Sequence, residues 1–226
     1  MALIKWGAFV TDGRGKVGGQ VLTKGRSGAV IRNKVTPTNP NTARQSAARS
    51  LLSQFSQQWK TLTQGERDAW NAAVSSFTKT NVFGDTVSPS GKNLFTKLNI
   101  NLSLINQTPI TSPPLPVEMV SPSISNFAGS VSVGELEFDF AGESADQTMF
   151  ISASPAVSPG INNLPALKRK VNIGAMTTAG SISIYNSYNA VYGTPPVGVK
   201  IFLSVIAINK TTGQATTKEV LSVVTD

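Results

Sequence analysis

One feature constrains this chain more than any other: its hydrophobic period changes part-way along. Between about residues 41 and 105 the apolar side chains recur at steps of three and four, the spacing of a helix face. From Val117 onward they recur at every second position, between clusters of Gly, Pro, Asn and Ser, the spacing of half-buried strands. A helical part and a β part are therefore expected in one chain of 226 residues. Residues 109–116, with Pro109, Pro113, Pro114 and Pro116, stand between them and read as a semi-rigid linker. The expected fold class is α+β and multidomain. It comprises a β arm at 1–40, a helical hairpin with a connector helix at 41–108, the linker, and an all-β sandwich at 117–226.

Within the arm, β-prone runs at 4–11, 17–24 and 29–34 suggest a three-stranded meander. Its turns would be Asp12-Gly13 and Gly25-Arg26-Ser27-Gly28. The apolar payload is too small for such a meander to stand alone, so the arm is expected to order against another surface. The Pro37–Asn41 stretch, with Pro40 inside it, ends the pattern, and Asn41 or Thr42 can cap a following helix. Its stripe is Ala48, Leu51, Leu52, Phe55 and Trp59. Thr63-Gln64-Gly65-Glu66 has the capping-box form and opens a second helix with Trp70, Ala73, Val74 and Phe77 on one side. Phe55, Trp59, Trp70 and Phe77 are the expected core of this αα hairpin. A third helix starting near Ser90-Gly91 would carry Leu94, Phe95, Leu98, Leu102 and Ile105.

In the C-terminal half, strands are expected at 123–127, 130–140, 148–154, 168–173, 181–185, 199–208 and 215–224. Seven short strands in about 110 residues match an immunoglobulin- or fibronectin-III-like sandwich, although the Cys–Trp–Cys signature of antibody domains is missing. Glu135, Glu137 and Asp139 alternate along one predicted strand and read as an outward, solvated stripe. Lys168-Arg169-Lys170 reads as edge protection.

Cys and His are absent. That excludes disulfides, thiolate nucleophiles and zinc fingers, and removes the side chain best suited to proton transfer near neutral pH. The twelve acidic residues are scattered. No catalytic, cofactor-binding or metal-binding residue is assigned, and an enzyme is not expected. Gly13-Arg14-Gly15-Lys16-Val17-Gly18 fits G-x-G-x-x-G, but a β-prone run follows it where a dinucleotide site needs a helix. The Gln58–Trp70 stretch resembles part of an HMG box over one interhelical turn, without the first helix or an intercalating wedge. Trp59 and Trp70 are read as a clamp between helices instead. No apolar run reaches the length of a membrane span, and the N-terminus has no signal-peptide pattern, so synthesis in a cytoplasm is expected.

The net charge of +8 is unevenly placed. Residues 1–60 hold ten basic side chains against Asp12 alone, whereas residues 113–226 hold six basic and eight acidic groups. Arg14, Lys16, Lys24, Arg26, Arg32 and Lys34 are the candidate anchoring residues, toward phosphates or an acidic protein surface.

The order Gly15-Lys16-Val17-Gly18-Gly19, Arg32, Pro37/Pro40, Thr42, Gln45, Arg49, Trp59, Leu62 and Trp70 resembles the N-terminal region of small virion proteins of tailed bacteriophages. A related pattern occurs in a domain family from Bacteroidota and their phages. Ser90-Gly91-Lys92-Asn93-Leu94-Phe95 is similar to the connector of those proteins, which also end in a fibronectin-like sandwich. The resemblance implies a multicopy structural component of the virion, assembled in the host cytoplasm. A capsid-associated decoration protein or a neck or tail component would fit. Its partners would be capsid or tail subunits and further copies of itself. A nucleic-acid-binding protein packaged with the genome is the alternative.

Overall fold

The computed structural model describes residues 2–25, 28–163 and 168–226. The chain has the helices and antiparallel sheets of an α+β fold and divides into two compact units. One is Met1–Thr96 with Thr111–Pro113, and the other is Lys97–Ile110 with Pro114–Asp226.

The first unit opens with four short strands, β1 (Ala2–Ile4), β2 (Gly15–Val17), β3 (Gln20–Gly25) and β4 (Gly28–Asn33). They form an antiparallel sheet in the order β1-β4-β3-β2. This corrects the expected three-stranded meander. Residues 5–14 carry no strand, and Asp12-Gly13 makes no hairpin turn. The reason is local. The Trp6 ring lies so close to Gly13 that a Cβ there would meet it at 2.7 Å, and the Asp12 carboxylate accepts from the Gly13 N–H. The segment thereby closes on itself, which leaves β1 to pair with β4. The tight turn falls instead at Gly18-Gly19, between Val17 and its partner Gln20, with Gly18 in the left-handed region.

Helix α1 (Ala43–Thr61) begins at Thr42, whose hydroxyl accepts from the Gln45 N–H while the Gln45 side chain accepts from the Thr42 N–H. Thr63 and Glu66 repeat the device at the start of α2 (Gln64–Ala73), and a 3-10 turn (Val74–Phe77) follows. Arg67 donates to the carbonyls of Trp59 and Lys60, satisfying acceptors that the end of α1 leaves open. Between α2 and the next helix, β5 (Lys79–Thr80) and β6 (Thr86–Val87) make a small hairpin.

Helix α3 (Gly91–Leu104) supplies the element that fills the hairpin core. Phe95 lies 5.6 Å from Trp59 and 5.3 Å, edge-on, from Trp70. The expected clamp of two tryptophans is thus a stack of three rings, with the third helix contributing the middle one. Phe55 and Trp70 are fully buried, while Trp59 and Phe77 are half-buried. The Trp70 indole N–H donates to the Thr111 carbonyl.

In the second unit, β7 (Ser123–Ser130), β8 (Glu135–Ala141) and β11 (Gly180–Ser183) form a three-stranded sheet in the order β11-β8-β7. β9 (Gln147–Ala153), β10 (Arg169–Ala175), β12 (Lys200–Asn209) and β13 (Glu219–Val224) form a four-stranded sheet in the order β10-β9-β12-β13. All pairings are antiparallel. Alternate residues of β8, β9 and β12 share one core: Phe138 and Phe140 with Met149 and Ile151, and with Leu203 and Val205. Residues 185–192, expected in part as strand, form helix α4 (Tyr185–Tyr192). Tyr185, Tyr188 and Tyr192 fall at steps of three and four, so one helical face delivers all three rings to that core.

Candidate interaction surface

The arm places its cations on different faces of a thin sheet. Lys16 pairs with Val21, and Val21 with Arg32, so these three side chains form a cross-strand row on one face. Lys24 pairs with Ala29 and points to the opposite face. Arg14 and Lys34 flank the strands, and Arg26 lies outside the described residues. Asp12 draws two of the cations together: its Oδ2 is 3.6 Å from both Arg14 and Lys24. Lys16 and Arg32 make no ion pair among the described residues. Among the arm's described apolar residues only Ala29 is buried, and Phe9 is fully exposed at the tip of the 7–10 turn.

Lys5, which lies outside the candidate anchoring set, fastens this arm to the β5–β6 hairpin. Its ammonium donates to Asp85 at 3.0 Å and sits 5.1 Å from the Phe83 ring centroid. Asn81 holds the loop in shape by accepting from the N–H groups of Phe83 and Asp85. The bonds from Lys5, then Asn81, lower the Asp85 pKa below the ordinary carboxylate value. Nothing in the sequence pairs residue 5 with residue 85; the contact depends on how the sheet packs.

Apart from the half-buried Leu51, helix α1 is polar or exposed through its first three turns, and Phe55 is its one fully buried residue. Arg49, Leu52, Ser53, Ser56, Gln57 and Lys60 line a shallow depression along its outer side. Arg49 also donates to Asn39 and Asn41, pinning the segment that leads into the helix. The helix contains Arg44, Arg49 and Lys60 and no acidic residue.

Considered by itself, the second unit carries charge of the other sign on one face. Glu135, Glu137 and Asp139 alternate with the buried Leu136, Phe138 and Phe140, so the acidic stripe points outward from β8. Serines sit beside it on both neighbours: Ser183 opposite Glu137, Ser181 and Ser125 opposite Asp139, with the exposed Ala128 opposite Glu137. No ion pair neutralises the three carboxylates among the described residues. Lys170 of the basic run reaches the Leu104 carbonyl and lies 6.0 Å from the Phe150 ring centroid, while Arg169 lies 5.2 Å from that of Tyr192.

Among the described residues no three acidic side chains converge as a bound metal ion would require, and no helix is long and apolar enough to cross a membrane. The chemistry these surfaces offer is electrostatic and non-covalent contact over exposed faces. No protein-family model, curated protein or solved structure matches the chain.

Proposed function

We propose that this chain is a non-enzymatic structural component of a bacteriophage virion, a capsid-associated accessory protein or a neck or tail component, anchored through its N-terminal arm. The observation that carries this reading is the arm itself. Four short strands bury one residue, Ala29, and leave the cations of both faces exposed. Such a sheet gains too little from its own burial to be a finished fold, and a second surface would complete it. We further propose that the second unit is a fibronectin-III-like sandwich. In support, its three-stranded sheet takes strands one, two and five of the unit, and its four-stranded sheet takes four, three, six and seven, in that spatial order. Sandwich modules of this kind are platforms for contacts.

The test is incorporation. Particles assembled with a chain lacking residues 1–36, or with Lys16→Glu and Arg32→Glu in the full chain, should contain at most a small fraction of the normal copy number. Incorporation at the normal level defeats the anchoring role. Packaging with the genome is the competing outcome, and it would show as salt-sensitive binding to duplex DNA that the same charge reversals abolish.

A further inference from the structure

We propose that the outer face of α1 in one molecule docks on the acidic face of β8 in a second copy of this chain. Two surfaces of opposite charge make the case. On α1, Arg49 and Lys60 are eleven residues apart, which puts them on the same side of the helix and about 16 Å apart. On β8, Glu135 and Asp139 are four residues apart, which spaces the ends of the stripe by about 13 Å. The two charge rows are therefore of similar length. Leu52, 54% exposed between the cations, faces a surface on which Ala128 is the exposed apolar residue beside Glu137.

Other occupants fit α1 less well. A second α1 would bring Arg44, Arg49 and Lys60 against the same three cations, with no acidic residue in either helix to offset them. Duplex DNA would satisfy the cations but gains nothing from Leu52. The contact joins different patches on the two copies, so it is heterologous and leads on to rings or longer arrays. This suits the multicopy component proposed above, and the inference rests on that reading.

The experiment measures the mass of the full chain in solution by sedimentation velocity. At about 0.05 M salt, where screening extends over roughly 14 Å, species above the 23.8 kDa monomer should form as concentration rises. At about 0.5 M salt the dissociation constant should weaken at least tenfold. A variant with Glu135→Lys, Glu137→Lys and Asp139→Lys should stay monomeric, as should one with Arg49→Glu and Lys60→Glu. Mixed one to one, the two reversed surfaces are again complementary and association should return. If the triple reversal unfolds, Glu137→Lys alone replaces it. A wild-type chain that is monomeric at low salt overturns the contact, and so does a folded reversal variant that associates like wild type or a mixture that fails to associate. A chain monomeric in solution yet incorporated into particles removes this contact and spares the structural reading; self-association without incorporation does the reverse.

Discussion

Phe95 is 2% exposed between Trp59 and Trp70, so its ring joins the aromatic residues of both helices in one core. Phe95→Ala should destabilise the first unit by about 3–5 kcal/mol through lost burial and the cavity left behind, measurable as a lower denaturant midpoint. Gly91 acts by absence: a Cβ there would fall 2.9 Å from the Asn71 backbone nitrogen and closer still to its side chain. Gly91→Ala should therefore cost about 1–3 kcal/mol, because the backbone must shift and not merely a flexible side chain. Tyr188 gives a pH signature. Burial, helped by the neighbouring Tyr192, raises its pKa to about 12, and the nearby Ala156 backbone offsets little of that. The unfolded phenol loses its proton near pH 10 while the folded one keeps it, so the unfolded state binds fewer protons and stability falls as pH rises from about 10 to 12, by up to about 1.4 kcal/mol per pH unit. In urea titrations across that range, Tyr188→Phe should show a shallower decline than wild type. At this scale the sequence yielded the caps, since a Thr three residues before Glu or Gln satisfies N–H groups by local geometry alone. It did not yield the ring stack, because which aromatic meets which depends on where a third helix lies.

Helices α1 and α2 illustrate how a local signal becomes an element. Thr63 and Glu66 bond reciprocally, and the Thr63 backbone and then its hydroxyl hold the Glu66 carboxyl below its ordinary pKa. A depressed carboxyl contributes stability that is present above its unfolded value, about 4.3, and lost as pH falls through the lower folded value. Thr63→Ala should cost about 1 kcal/mol in thermal or chemical unfolding. It should also return the Glu66 titration, followed by NMR, only part of the way toward the ordinary range, because the backbone N–H of residue 63 still donates to the carboxylate. A Glu66 titration identical to that of the wild type would count against the Thr63 hydroxyl as a contributor. Elements whose period matches their burial were legible: both amphipathic helices, and strands such as β8 and β12. Elements set by a neighbour were not. The run Tyr185-Asn186-Ser187-Tyr188 has aromatics that suit a strand or a helix, and the core beneath α4 decides between them. The run from Lys5 to Thr11 looks β-prone, yet the Trp6–Gly13 contact folds it into a loop.

Across the whole molecule, the proline-rich stretch is the conspicuous punctuation in the sequence, but the compact units are not divided there alone: residues 97–110 group with 114–226. The reason lies in the hairpin between β12 and β13. Gly213 sits in the left-handed region against the Leu98 carbonyl and the Leu102 side chain, with no room for a Cβ, and its own carbonyl accepts from Asn101. The buried Asn99 both donates to and accepts from Ile110, which turns the chain back along the helix toward the prolines. The Gly213 contacts span over a hundred residues, and hydrophobic period carries no trace of them. They set a sharp expectation for fragments. A 117–226 fragment, cut where the prolines end, would uncover the Gly213 hairpin and lose the cover of Leu98 and Leu102, about 1.5–3 kcal/mol for each leucine side chain. A 97–226 fragment keeps both. The longer fragment should unfold cooperatively at a clearly higher denaturant concentration, and the shorter should be less stable by several kcal/mol or require the helix to be supplied as a separate peptide. Equal midpoints for the two would mean that residues 97–110 contribute nothing to the β unit, and that the boundary belongs at the prolines after all.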